Sequence, residues 1–348
     1  MNPIRVYFAG LREDDDSPVD LAKAMRIGGR GPAAWPDGPH RAKYDQLNSD
    51  ASNYFAAAPL DEADVVVYAY RAQDHQGELT DVAVQAKNRG IPCLFFTWGD
   101  AYVPIRVPYG QVYGHSLIAE KCLESDRAMP AFCADPLGGG TVQPRQWQRS
   151  ATVGFCGYVG DPMRRTMYRL MGRAEKVAGL ELRSSILKRL RKSPRVLTQF
   201  ICRSAYFAGA IGRFHRNPAA QALAWNEYRE NLFSCDYTLC VRGAGNFSYR
   251  FYEVLAGGRI PLFVNTRCVL PFPDQIEWQR HCVWVEEDQL DRIGDKLADF
   301  HAALSPQQFV ELQQANRRLW EEKLSPLGFY RTLLTGVSEE SRLAKARA

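Results

Sequence analysis

Two arginines and a glutamate stand at ligand-binding spacing in one stretch, VRGAGNFSYRFYEVLAGGRIPLF, residues 241–263. The apolar run YTLCV reads as a strand, and Ser248 reads as the N-cap of a helix over 248–256. The loop RGAGNF between them then sits at a strand's carboxyl end and a helix N-terminus. Free backbone N–H groups and the helix dipole attract anions there, and Gly243 and Gly245 let a phosphate approach the main chain. Arg242 and Arg250 can add charge-assisted hydrogen bonds. Glu253, three residues after Arg250 on the same helical face, suits the paired hydroxyls of a ribose. Gly257 and Gly258 end the helix, and Pro261 opens the next strand. A diphosphate joined to a pentose is the ligand that this order of groups fits. Taken alone, the spacing fits an ordinary capped helix with a surface ion pair equally well.

The elements that must position these residues alternate in type. IRVYFAG is a buried strand, and Ser17-Pro18 starts a helix over 18–26; the Gly- and Pro-rich segment 28–40 reads as a loop. ADVVVYAY (63–70), a helix over 78–89 ending at Gly90, and PCLFFTW (92–98) make a strand–helix–strand unit with parallel pairing. DPLGGGTVQPRQWQRS (135–150) has linker composition. Beyond it come the strand ATVGFCGYVG, a helix over 162–177, a basic insert, a helix near 219–233, YTLCV, helix 248–256, IPLFV, CVWVE and a mostly helical end over 288–334. The expected architecture is α/β: two Rossmann-like doubly wound domains facing a central cleft, with ligands at the strands' carboxyl ends. The expected boundaries are 1–148, 149–325 and a helical tail over 326–348.

Composition narrows the class. With 348 residues, 46% of them hydrophobic and 24% charged, the chain has the make-up of a folded globular protein. It holds no run of the ~20 apolar residues that a spanning helix needs, and no visible secretion signal, so a soluble cytoplasmic protein is expected. Nine cysteines without a CxxC pair, several inside apolar runs, indicate reduced, buried thiols. No metal site and no cofactor are expected. The acidic triplet Asp14 to Asp16 is separated from its strand by GLRE and reads as helix cap and solvated surface.

The surroundings of the opening stretch carry a resemblance. Over about 55 residues, Ser248, Arg250, Glu253, Gly257, Ile260, Pro261, Leu270, Pro271, Phe272 and Trp278 follow the order found in the C-terminal half of exostosin-type glycosyltransferase domains. SNYFAAAPLDEADVVVYAY and TVGFCGYVGDPMRR are similar, more weakly, to upstream segments of that family. The resemblance implies the GT-B fold and inverting, metal-independent sugar transfer from a nucleoside-diphosphate donor, a UDP-sugar first and a GDP-sugar next. It implies that Glu253 holds the donor ribose. Arg250 and the N–H groups around Gly245, Asn246, Phe247 and Ser248 would hold the diphosphate. Gly157 with Arg164 or Arg165 would meet the leaving group from another turn. Asp100, Asp74 and His75, all after strands of the first half, are the candidate bases for the acceptor hydroxyl, with the acidic run Glu13 to Asp16 after the first strand behind them. A cytoplasmic member implies a bacterial-type enzyme of surface polysaccharide or lipopolysaccharide assembly, acting on a glycan or lipid-linked glycan. Rival readings are a fucosyltransferase-like enzyme using a GDP-sugar and a non-catalytic glycan- or membrane-binding protein of the same fold.

From Arg183 to Asn226 the chain has no acidic residue. Its start, LRSSILKRLRKSPRVLTQFICR, alternates apolar and cationic residues, which fits peripheral contact with anionic lipid through 183–203 or a solvated basic arm. Without aromatic interleaving or a binding motif, no nucleic-acid partner is expected.

Overall fold

The computed structural model describes residues 2–10, 21–22, 25, 44–69, 76–205 and 217–347. The expected helix over 18–26, the loop 28–40, the acidic run and the candidate bases Asp74 and His75 lie wholly or largely outside them. The chain forms two compact units. The first is Met1–Ala134, Arg267–Phe272 and Trp320–Ala348; the second is Asp135–Thr266 and Pro273–Leu319.

In the first unit, β1 (Ile4–Ala9), β2 (Phe55–Ala57), β3 (Val65–Ala69), β4 (Cys93–Phe96), β5 (Gln111–Gly114) and β6 (Asp126–Ala128) form one parallel sheet in the order β2-β1-β3-β4-β5-β6. The central strands β3 and β4 are buried throughout, as continuous apolar runs in parallel sheets are. Helices α1 (Asp45–Asp50) and α2 (Gln76–Asn88) belong to this unit.

The second unit repeats the plan with β7 (Thr152–Tyr158), α3 (Pro162–Leu170), α4 (Ala174–Lys192), β8 (Leu197–Arg203), α5 (Pro218–Ser234), β9 (Tyr237–Cys240), α6 (Tyr249–Ala256), β10 (Ile260–Asn265), β11 (Val283–Glu286), α7 (Ile293–Ala303) and α8 (Pro306–Leu319). Its five strands are all parallel, in the order β11-β10-β9-β7-β8. Both units are thus Rossmann-like, each a parallel sheet with helices between its strands.

Four expectations about organisation change. The helical tail is not separate: in α9 (Pro326–Arg347), Leu327, Phe329, Tyr330, Leu333 and Leu334 share a core with Val6, Val67 and Phe96 of the first sheet. The presumed linker is fastened to the second unit. There Arg145 Nε donates to the buried Asp236 carboxylate at 2.7 Å, and the Trp147 ring stacks on His301 with centroids 5.2 Å apart. The expected helix over 162–177 is two helices, broken where Gly172 takes φ 67°.

The fourth change concerns the basic insert, which is part of the fold. Ile186, Leu187 and Leu190 of α4 are buried in the core of the second unit, and LTQFICR is the edge strand β8. Arg189 pairs with Asp291, and Arg195 with Asp295 and Asp299. The apolar face that a lipid contact through 183–203 requires is turned inward. Among the described residues no helix is long and apolar enough to cross a membrane.

Candidate functional site

Helix α6 is amphipathic over two turns. Phe251, Val254 and Leu255 are fully buried, Phe251 against Phe263 of β10 and against Trp278, while Tyr249, Arg250 and Glu253 keep part of their surface. Arg317 holds its far end: Nη1 donates to the Ala256 carbonyl at 2.5 Å, and the guanidinium forks onto Asp135 at 2.7 and 2.9 Å. Gly258, at φ 59°, closes the helix as the double glycine leads one to expect, and a Cβ there would meet Val142 at 2.7 Å. Ser248 occupies the N-cap position with extended backbone, but its side chain makes no capping hydrogen bond, contrary to expectation.

The structure brings Gly157, Arg250 and Glu253 together. The Arg250 guanidinium lies between the rings of Phe155 and Tyr228, 5.1 and 5.0 Å from their centroids. It also lies against the backbone of β7: a Cβ on Gly157 would be 3.0 Å from Nη1 and 3.2 Å from Nη2. Glu253, one turn on, lies within electrostatic reach of Arg250 and of Tyr228, whose buried hydroxyl makes no geometric hydrogen bond among the described residues. Burial raises the Glu253 pKa above the ordinary carboxylate value, and the attraction of Arg250 and Tyr228 only partly opposes this. Burial pushes the Tyr228 phenol up as well, and the neighbouring Glu253 adds to the rise. Ligand hydroxyls donating to the Glu253 carboxyl would favour its ionised form and lower this desolvation cost.

The loop before α6 is held from three sides. Arg242 Nη2 donates to the Ala244 carbonyl at 3.0 Å, folding its charge onto its own loop. The buried Asn246 accepts from Thr266 Oγ1 at 2.7 Å, so its carbonyl oxygen is used in structure. The Phe247 ring meets Tyr249 edge-on at 5.2 Å, and Gly245 is buried. Neither Gly243 nor Gly245 takes a positive φ. The close approach on this loop is at Gly243, whose carbonyl oxygen would lie 2.2 Å from a Cβ on Gly179 of α4.

Helix α4 therefore belongs to the site, which the sequence did not suggest. Its Arg183 donates to the Tyr158 carbonyl at 3.1 Å, and its Nη2 would be 3.3 Å from a Cβ on Gly243, so a cation bridges the ends of β7 and the glycine loop. Arg165, expected to face the leaving group, instead donates to the Val159 carbonyl at 3.0 Å and to Ser184 Oγ at 2.5 Å, tying the β7–α3 turn to α4. The backbone of Arg164 lies in α3, and its side chain is outside the description. Tyr228, on α5, has no sequence signal beyond helical context. Gly179 has one, because a glycine inside a helix marks a place where something approaches closely.

In the first unit, Asp100 follows β4 on an exposed bend, where its carbonyl accepts from Ser116 Oγ at 2.6 Å. A pocket opens at the carboxyl ends of β4 and β5, lined by Trp98, Tyr102, His115, Ser116 and Asp126 among others; the Asp100 side chain does not line it. Tyr102 donates to Asp126 Oδ2 at 2.7 Å. His115 is 7% exposed.

No protein-family profile matches the chain. It is 30% identical over 95 residues to Exostosin-1 of Drosophila melanogaster, and 29% identical over 99 residues to Exostosin-1 of Bos taurus. Over those residues the chain resembles Exostosin-1. The matches cover 27% and 28% of this chain and only 12% and 13% of those relatives. Among solved structures, distant likenesses are Anabaena HepE in complex with UDP and CalG4, the calicheamicin glycosyltransferase. HepE has a TM-score of 0.38 at 10% identity, covering all of both chains. CalG4 has a TM-score of 0.32 at 12% identity, covering 100% of this chain and 99% of its own.

Proposed function

We propose that this exostosin-like protein is a glycosyltransferase that binds a nucleoside-diphosphate sugar, a UDP-sugar in the first place, and passes the sugar to a glycan or lipid-linked glycan. The observation that carries the reading is the Arg250–Glu253–Tyr228 group against Gly157, beneath a glycine loop at the carboxyl edge of a parallel sheet. In this reading Glu253 accepts from the ribose hydroxyls. The main-chain amides from Gly245 to Ser248 and the N-terminus of α6 take the diphosphate, and Arg250 and Arg183 supply the positive field behind them. Departure of a nucleoside diphosphate builds negative charge, and preformed donors aimed at that charge are the main catalytic contribution.

The transfer is proposed to invert the anomeric centre and to need no bound metal. A base must take the proton of the attacking hydroxyl. Among the described residues of the first unit, Asp100 on its exposed bend and His115, which lines a small pocket at the carboxyl ends of β4 and β5, are the candidates, and we take His115 as the one to test first. The protein's setting in bacterial surface-polysaccharide or lipopolysaccharide synthesis, at the cytoplasmic side, is part of the same proposal.

Calorimetric titration with UDP, GDP and their sugars tests the donor. Saturable UDP binding that weakens at least tenfold in Glu253→Ala and Arg250→Ala, about 1.4 kcal/mol or more each, is the expected result. Binding unchanged in both variants overturns the assignment, and preference for GDP favours the fucosyltransferase-like reading. Turnover retained in EDTA, with product of opposite anomeric configuration by NMR, is expected for the mechanism.

A further inference from the structure

Helix α3 presents an apolar stripe to solvent. Met163, Met167, Leu170 and, just past the helix, Met171 are 82%, 45%, 85% and 54% exposed. Their spacing of i, i+4, i+7 and i+8 puts all four on one side of the helix. Four long apolar side chains gathered on one face of a single short helix are a surface that a soluble protein ordinarily covers or uses.

What surrounds the stripe decides its partner. Residues 162 to 174 include four arginines and no acid. From 162 to 195 there are eleven lysines and arginines against two glutamates, although the whole chain is only +5. Some of this charge is used inside the fold: Arg165 on Ser184, Arg169 on Glu181, Arg189 on Asp291 and Arg195 on Asp295 and Asp299. Arg173, just past α3, stays exposed, and Lys176, in the first turn of α4, lies over the Tyr168 ring of α3 at 4.6 Å; Lys188 and Lys192, also exposed, carry the positive charge on toward the far end of α4. A cationic rim around an apolar stripe matches an anionic lipid surface, where methionine and leucine enter the acyl boundary and the cations meet headgroup phosphates. A second copy of the chain fits badly, because a twofold contact would set the same positive region against itself.

We infer that α3 with the start of α4 is a peripheral docking surface for anionic membranes, lying on the bilayer through Met163, Met167, Leu170 and Met171. This places membrane contact on a different element from the sequence expectation, and it stands independently of the glycosyl-transfer reading because it requires no donor.

The test is sedimentation of the full chain with phosphatidylcholine vesicles, with and without phosphatidylglycerol, at low and high salt. Wild type is expected to partition onto the phosphatidylglycerol vesicles and to be released by salt. The double variant Met163→Ser/Leu170→Ser should lose about tenfold in partitioning, since it removes two inserting side chains. Its circular dichroism and melting temperature should be unchanged, because both positions are exposed. Arg173→Glu should weaken binding too. Three results overturn the proposal: no binding of wild type to either vesicle, binding that the double variant leaves intact, or a dimer seen by light scattering that the double variant dissolves.

Discussion

Gly179→Ala sets helix propensity against tertiary packing, and the two disagree in sign. Gly179 lies inside α4, where alanine is the better helix former by about 1 kcal/mol, so a local view expects stabilisation. In the fold, a Cβ at this position would lie 2.2 Å from the Gly243 carbonyl oxygen and 3.0 Å from its carbonyl carbon. The obstruction is backbone, so it cannot be relieved by a rotamer change; either α4 or the glycine loop must move. Overpacking of this kind costs about 1–3 kcal/mol, which more than offsets the propensity gain and leaves a net loss of about 1 kcal/mol or somewhat more. For a unit of this size that corresponds to a fall of roughly 2–4 °C in melting temperature. Because the displaced element is the loop assigned to the diphosphate, UDP affinity should fall at least tenfold as well. Gly336→Ala is the internal control: this glycine is also helical, in α9, but has nothing within 4 Å of a Cβ, so its melting temperature should stay the same or rise. Thermal unfolding by circular dichroism and titration with UDP read the two effects. A Gly179→Ala protein that melts higher than wild type and binds UDP unchanged would refute the packing of α4 on the loop and its role in the site.

Three further outcomes are expected. The folded-state pKa of Glu253 is raised by burial, so its favourable contribution is complete below the ordinary value of 4.5 and is lost as pH rises through the folded value. Glu253→Gln should therefore melt closer to wild type in acid than in neutral buffer, where it should be the more stable protein while binding UDP at least tenfold more weakly; a melting temperature that tracks wild type across the whole range counts against the shift. All nine cysteines are free thiols, and only Cys202 is exposed; burial pushes Cys93 up to about 12 and Cys235 to about 11. An aromatic disulfide reagent should modify Cys202 quickly and Cys93 and Cys235 only on unfolding, as peptide mapping will show. His115→Asn should lower turnover at least about tenfold with UDP affinity kept, whereas Asp100→Asn should leave turnover near wild type; the opposite pattern would return the base to Asp100.

Some of this protein was legible before folding was considered. Val65–Ala69 and Cys93–Phe96 are continuous apolar runs, and only a parallel sheet covered on both faces buries such runs whole. The double glycine after α6 ended it where expected, since Gly258 adopts a backbone that a side chain resists. Arg250 and Glu253 were identified together because three residues along a helix is a distance in space as well as in sequence.

The rest depended on packing between distant segments. Ile186, Leu187 and Leu190 among lysines and arginines satisfy a core-facing helix and a lipid-facing one with the same pattern, and only their contact with Val153, Tyr237 and Val285 settles which. LTQFICR is an edge strand with one face toward solvent, so its alternation imitates a surface arm. α9 lies far along the chain from β1 yet shares its core, a pairing that no local signal records. Tyr228 and Arg183 reach the site from α5 and α4 for the same reason. Residue type and spacing determine what a helix or strand can do; which side chains meet over Arg250 is decided only when β7, α4, α5 and α6 exclude water from one another, because that exclusion is a property of the assembled surfaces.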